Sequence, residues 1–595
     1  MTNSRPRRWL PFFTLATAGL LLAPALLMRM ERRFYQARFP EYFRSWTNNG
    51  SFSMVDSFTL SEDNYYYAAR IRQAGTHLRA ADPYIRENRS LRLALTDGLT
   101  FFCFGLIQRL TGDIRTTWIL AQFVFVLLWV PVLYAFMRRL GAGANQALCV
   151  AVAFTLFADL TRSFFIDRHF ADLLKNTLQY MFWFLGSYHY FFGPTRITGP
   201  LFTHLALFIA SLAFVRADAR KDWGSVAIAG LSGGLLAYVH FDVWLAFLGA
   251  APLYGLWRSW SARAIAWRIG AVWLIAAALS LPLILSQASG LGGRDFLGVL
   301  WERRPDWRAL PFLAGAVLAL WRIGRDGMAL WCACMLAAMF LASNAQVLTG
   351  WSMGGQGHWF YIGNTFLALT LGRVAGGKKP TDSPAWLCLA GFMCLLALPR
   401  VTGYSALHYQ IYGMRAAQEE AFSWLSKNTP RDSVVAALSP QTNLKIPVHT
   451  HNKIAVSFLF PVVSDIAPAE NARRIIHALS LFGAGLEDFL REGRSGSEDW
   501  GKHLWTGVLD TESQERAGSF FLYFCMLDRS KILSLLRDTA SSAPTAGYPA
   551  DYLWVGPFER RLIPASGLPG RDKLQRVFAN SEITLYRFLR ERGAT

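Results

Sequence analysis

Thr116–Arg139 reads TTWILAQFVFVLLWVPVLYAFMRR, an apolar run closed by a pair of arginines. About 20 such residues are what a helix needs to cross roughly 30 Å of hydrocarbon, where no water can satisfy an open backbone. The terminal arginines mark a side, because Lys and Arg near span ends are retained in the cytoplasm. Working outward, further apolar runs occupy roughly residues 9–28, 144–160, 200–216, 224–240, 242–257, 269–287, 309–322, 328–348, 359–373 and 385–402, eleven in all. The first is preceded by Arg5, Arg7 and Arg8, which places the N-terminus in the cytoplasm. Counting from there, Arg138/Arg139, Arg216/Arg220/Lys221, Arg258/Arg263/Arg268, Arg322/Arg325 and Arg373/Lys378/Lys379 all fall in inner loops. Ala23-Pro24-Ala25 resembles a signal-peptidase site, but cleavage there would leave the side of every later loop unchanged.

Composition agrees. The chain has 595 residues, 53% of them hydrophobic, with 44 Phe and 22 Trp, which is too apolar for a soluble protein of this size. A net charge of +20 invites a nucleic-acid reading, yet the basic residues fall in short clusters between apolar runs, as topology requires. The seven Cys show no metal or disulfide spacing, and Cys332-Ala333-Cys334 reads as helix packing.

The expected fold is therefore an α-helical polytopic membrane protein of about eleven spans, residues 1–402, followed by a soluble α/β domain, residues 403–595. With eleven spans that domain lies outside, which in a bacterial inner (plasma) membrane means the periplasm. Two outer segments, 91–110 (LRLALTDGLTFFCFGLIQRL) and 176–192 (NTLQYMFWFLGSYHYFF), read as helices in the membrane interface. After Gly403 the pattern predicts a helix at Ala417–Asn428 and a strand in SVVAALS. Further strands are expected at Pro447–Thr450 and Lys453–Phe460, a helix at Ala469–Leu481, and closing strands in DYLWVGP and EITLYRFL.

The outer loop from Glu31 to Arg92 is long where other loops are short, and such excursions are usually functional. Its centre reads Ser61-Glu62-Asp63-Asn64-Tyr65-Tyr66-Tyr67-Ala68-Ala69-Arg70-Ile71-Arg72, followed by Asp82-Pro83-Tyr84. Ser61 can cap a helix whose first turn carries two acids, so one reading is simply a good helix start. The other is a sugar-phosphate site. Tyr65 and Tyr66 would contact sugar, Arg70 and Arg72 would clamp phosphate, and a carboxylate would take a proton from an acceptor.

A first span, a large outer loop with an acid ahead of a Tyr-rich, Arg-terminated helix, and a downstream Asp-Pro-Tyr resemble the GT-C superfamily of membrane glycosyltransferases. The resemblance covers the whole chain in architecture and about thirty residues in motif. It implies a polyprenyl-phosphate-sugar donor and a lipid, glycan or protein acceptor. The reaction would be inverting, with the base at Asp63 by position and Glu62 or Asp56 as substitutes. The Trp-Trp-Asp signature of the oligosaccharyltransferase branch is absent from the C-terminal region.

Other polar groups gather at the outer ends of the runs. Asp167, His169 and Asp172 are candidate ligands for a divalent ion, Mg2+ or Mn2+, although their spacing fits no compact motif. Arg196, between Pro and Gly, could meet a lipid phosphate or snorkel to headgroups of membrane lipids. His240 and Asp242 at a turn either line a site or pair with each other. Gln356 and His358 end a glycine-rich loop flanked by Trp351 and Trp359 that suits a donor or acceptor contact. A transporter or flippase for lipid-linked glycans is the main alternative, but mid-span polar residues and repeated halves are not seen. A non-catalytic scaffold of the same fold is the third reading.

Overall fold

The computed structural model describes residues 8–38, 52–55, 62–77, 82–87, 97–166, 201–220, 222–263, 265–288, 303–325, 327–350, 356–377, 382–457, 466, 468–492, 529–542 and 547–589. In chain order the first elements are α1 (Trp9–Arg38), β1 (Phe52–Val55), α2 (Glu62–His77), α3 (Gly98–Thr111), α4 (Ile114–Arg139), α5 (Ala144–Ile166), α6 (Thr203–Arg220) and α7 (Trp223–Val239). There follow α8 (Phe241–Ala262), α9 (Trp267–Ala288), α10 (Leu310–Leu318, prolonged by a π-turn), α11 (Gly327–Ser343), α12 (Ala345–Thr349), α13 (Gln356–Ala375) and α14 (Ala385–Tyr412). Each of the eleven apolar runs coincides with a helix. Among the described residues, Ile114–Arg139 and Trp267–Leu285 are long and apolar enough to cross a membrane. Trp9–Ala23, Ala144–Leu156, Trp223–Val239, Gly327–Ser343 and Ala385–Leu398 are apolar but shorter.

Side-chain oxygens start several helices. Asp113 accepts from the Thr116 N–H at 2.8 Å and Asp222 from that of Ser225 at 2.7 Å, each satisfying a donor the helix leaves open. Glycines let the helices approach closely. A Cβ on Gly230 or Gly234 of α7 would come within 2.7 Å of Ile275 or Leu279 of α9. Aromatic rings fill the centre, with Phe214 at 4.3 Å from Trp331 and Phe136 at 5.0 Å from Phe208. Ile228, Leu274, Leu285 and Val317 are exposed, an apolar exterior suited to hydrocarbon.

Contacts between connections sort them into two ends. At one end Asn145 donates to the Asp382 carbonyl, Gln146 to those of Gly372 and Arg373, and Tyr254 to the Asp218 carboxylate. At the other end Thr100 donates to the Val239 carbonyl and the Asp306 N–H to the Asn344 side chain. Arg138, Arg220, Arg258 and Arg373 all belong to the first end.

The last long helix continues to Tyr412, ten residues past the fall in hydropathy, and runs into β2 (Gly413–Arg415). Beyond it come α15 (Ala416–Asn428), β3 (Val434–Ala436), α16 (Pro440–His449), β4 (Lys453–Ile454), α17 (Pro468–Phe482), α18 (Arg529–Ser541), β5 (Tyr552–Val555), α19 (Pro557–Leu562), β6 (Leu574–Ala579) and β7 (Thr584–Phe588). The five-stranded sheet has the order β4-β3-β5-β7-β6. β3 lies parallel to β4 and β5, while β7 is antiparallel to β5 and β6. The strand expected at Pro447–Thr450 is instead the end of α16. Ser439 caps that helix by accepting from the Thr442 N–H, and Pro440 sits in its first turn, so the helix is set before the β-branched residues are reached.

Glu559 ties the C-terminal ends of β3 and β5. Its fully buried carboxylate accepts from the N–H groups of Leu438 (2.9 Å), Ser439 (2.8 Å) and Gly556 (3.0 Å). Truncation to Ala leaves those donors buried and unsatisfied, so Glu559→Ala should cost the domain on the order of 3 kcal/mol. Burial holds this carboxyl above its ordinary 4.5 against the pull of the backbone donors. Because the folded-state value is raised, its stabilisation is whole below 4.5 and lost as pH rises through the raised value. The thermal midpoint of Glu559→Gln, followed by Trp fluorescence, should lack that decline.

Candidate functional site

α2 carries the acid, tyrosine and arginine set, and its placement follows from small residues. Ala68, Ala69 and Ala74 are buried, and α2 lies directly on α3. A Cβ on Gly105 of α3 would stand 2.9 Å from the Ala74 carbonyl carbon, and one on Gly75 would stand 2.4 Å from the Gln108 side chain. The backbones meet there with no room for a larger residue. Gln108 is fixed in turn, accepting from the Thr117 hydroxyl of α4 at 2.7 Å. The expected helix at 91–110 is thus real from Gly98 onward and serves as the bed on which α2 rests.

Glu62 and Asp63 occupy the first turn of α2; their side chains and that of Tyr66 lie outside the described residues. Tyr65 is only 5% exposed and belongs to the core, so it shapes the helix seat. Tyr67 packs on Phe101 at 6.2 Å, and the Arg70 guanidinium lies over the same ring at 5.6 Å, itself 6% exposed. Arg72 points the other way and donates to the Pro447 carbonyl at 3.3 Å. Burial, with Arg431 adding like-charge repulsion, lowers its pKa to about 10, which leaves it charged at neutral pH.

At the start of α3, Asp97 is buried with φ of 60°, a left-handed conformation that Asp tolerates better than most residues. Three residues on, Thr100 donates to Val239, next to His240. His240 caps α8, its Nδ1 accepting from the Asp242 N–H at 3.4 Å and lying 3.3 Å from the Asp242 carboxylate. The His240–Asp242 turn therefore stands at the same end of the bundle as α2 and α3. Gln356 and His358 open α13 from that end also, by helix order, with side chains outside the described residues. Asp56, Asp167, His169, Asp172, Arg196 and the helix expected at 176–192 fall outside the described residues altogether. Among the described residues no group of three or more His, Cys, Asp or Glu could hold a metal ion.

Two features escaped the sequence reading. One is the segment Arg303–Ala309, which seats on the α11–α12 connection. Asp306 holds Arg308 in a bidentate pair (2.8 and 2.7 Å), and the Arg303 guanidinium faces Gly350. The run Trp307-Arg308 directly after Pro305-Asp306 is the available signal.

The second is larger: the connection between α1 and α3 is bound to the C-terminal domain. β1 pairs antiparallel with β2, Phe52 opposite Arg415 and Val55 opposite Gly413. The loop at Asp82-Pro83-Tyr84 turns on its own carboxylate, which accepts from the N–H of Tyr84 (2.8 Å) and Ile85 (3.3 Å). The Tyr84 carbonyl then accepts from Ile454 N–H (2.8 Å), and the Asp82 carbonyl from the buried Lys453 ammonium (2.9 Å). Loop and domain must share one side of any membrane the helices cross.

No family model and no curated protein matches the chain. Among solved structures it is similar to the cryo-EM structure of the arabinofuranosyltransferase AftD from Mycobacteria, with 13% identity and a TM-score of 0.46, over 98% of this chain and 40% of that one. A mutant of the same transferase gives 14% identity and a TM-score of 0.42, over 98% and 41%.

Proposed function

We propose that this chain is a multi-pass membrane glycosyltransferase of GT-C type, acting where α2 meets the C-terminal domain. The observation that carries the reading is the placement of α2. An acid-Tyr-Arg helix is fixed at the end of the bundle opposite the basic loops, and its half-buried Arg72 reaches the Pro447 carbonyl of the C-terminal domain. The donor is a polyprenyl-phosphate-linked sugar, and the acceptor a lipid, glycan or protein at the outer face of the membrane. The acceptor oxygen or nitrogen attacks the anomeric carbon, whose bond to the phosphate oxygen breaks with its electron pair leaving on the polyprenyl phosphate. Asp63 takes the acceptor proton, with Glu62 or Asp56 as substitutes, and configuration inverts because a single displacement occurs. Tyr66 contacts the sugar, Arg72 and Arg196 favour the departing phosphate, and His240, Gln356 and His358 line the approach from the bundle. A divalent ion, Mg2+ or Mn2+, is assigned to Asp167 and Asp172, where it would screen phosphate charge; the steps above do not depend on it. The eleven-crossing arrangement with a cytoplasmic N-terminus and a periplasmic C-terminal domain belongs to the same proposal.

The test is transfer of radiolabelled sugar from a panel of polyprenyl-phosphate donors to extracted membrane lipids and glycans by purified protein in liposomes. Product from at least one donor is expected. Movement of intact donor between leaflets with no transfer to any acceptor would replace the enzyme by a flippase.

A further inference from the structure

We propose that the C-terminal domain is the positioning element of the site, holding the 62–87 loop by a clasp in which the Arg86–Asp551 ion pair is decisive. The inference rests on the functional reading above for its kinetic arm only.

Among the described residues, the clasp has contacts at the end of α2 and along the 82–87 turn. Besides the β1–β2 pairing, Arg72 reaches Pro447 and Gln73 reaches the Asp82 carbonyl at 3.3 Å, so α2 and the turn after it are bound to each other and to α16. The Ile454 N–H takes the Tyr84 carbonyl, which makes the turn an extra rung on the β4 edge of the sheet. Lys453, almost wholly buried, donates to the Asp82 carbonyl and lies 4.0 Å from the Asp432 carboxylate. Arg474, held by Glu470 at 3.2 Å and stacked on Tyr548 at 4.4 Å, reaches Glu87 at 3.6 Å.

Arg86 differs from these in what it grips. Its guanidinium is 2.9 Å from Asp551 Oδ2, and the same oxygen accepts from the Val434 N–H at 2.9 Å. Asp551 also joins β5 to its neighbours through its backbone, donating to Val434 and accepting from Phe588. One residue thus couples the loop, through its carboxylate and its backbone together, to β3, β5 and β7. A contact between residues 465 apart in sequence sets where α2 sits relative to the sheet. Residues on the loop touch substrate in this reading, whereas Arg86, Lys453 and Asp551 act through them.

The test uses full-length protein in nanodiscs, comparing wild type with Arg86→Met, Arg86→Lys, Asp551→Asn and the Met/Asn double variant. Hydrogen–deuterium exchange of peptides within 62–87 should quicken by about tenfold in Arg86→Met, stay near wild type in Arg86→Lys, and quicken no further in the double variant. In the transfer assay Arg86→Met should lower kcat at nearly constant donor KM, with the conservative variant restoring it. Exchange in 62–87 unchanged by Arg86→Met would overturn the clasp. So would an equal rise across all the C-terminal peptides, which would make Arg86 a general stabiliser. Exchange as expected with no transfer by wild type would uphold the clasp and overturn the glycosyltransferase reading.

Discussion

Asp63→Asn should lower sugar transfer by about 10²- to 10⁴-fold while leaving donor binding and folding in place, the loss associated with removing a general base. The change is nearly isosteric, and Asn is acceptable in the first turn of α2. The favourable meeting of a carboxylate with the helix dipole is worth only a few tenths of a kcal/mol at an accessible site, about 0.3–1. A structural role could therefore not produce a thousandfold effect through stability. Single-turnover transfer with saturating donor is the measurement. Equal rates in both proteins would move the proton acceptor to Glu62 or Asp56, and Glu62→Gln and Asp56→Asn made in parallel identify which.

The second large effect is expected from a residue with no chemistry. A side chain on Gly105 would place its Cβ 2.9 Å from the carbonyl carbon and the Cβ of Ala74, and 3.0 Å from the Ala74 carbonyl oxygen. The obstacle is backbone, which cannot rotate aside as the end of a side chain can. Gly105→Val must therefore lift α2 from α3, at a packing cost of about 1–3 kcal/mol. Displacement of the site helix by about 1 Å is enough to lose two orders of magnitude in rate when geometry carries the catalysis. Gly98→Ala is the control in the same helix, since nothing lies within 4 Å of its Cβ position. Its transfer rate should match wild type. Gly105→Val that kept full activity would show that α2 need not rest on α3.

The helices were legible because their signal is local. Runs such as Thr116–Met137 admit one backbone solution in hydrocarbon, and the arginine clusters between them carry sidedness residue by residue. The C-terminal domain is legible where aromatic and β-branched residues concentrate, as in the wholly buried Tyr552–Val555 and in Thr584–Phe588. It was misread at Pro447–Thr450, where a β-branched, Pro-containing run looked extended but inherits the helix started at Ser439. β6 went unseen because LQRVFA is half exposed and lacks a clear two-residue period. In the site, the Tyr-rich helix and the His240 turn stood out by composition. The clasp could not, because Arg86 and Asp551 are ordinary charged residues until folding brings them together. Tyr65 and Arg70 show the converse: both looked like ligand contacts in the sequence, and both spend most of their surface on the seat of α2.

The most direct test of the central claim is photo-crosslinking with a polyprenyl-phosphate sugar carrying a diazirine, followed by peptide mapping of the full-length protein. The account predicts adducts in 62–77 and in the 82–87 turn, reduced by competing unlabelled donor. Competable adducts confined to peptides from the basic-loop end of the bundle would contradict it.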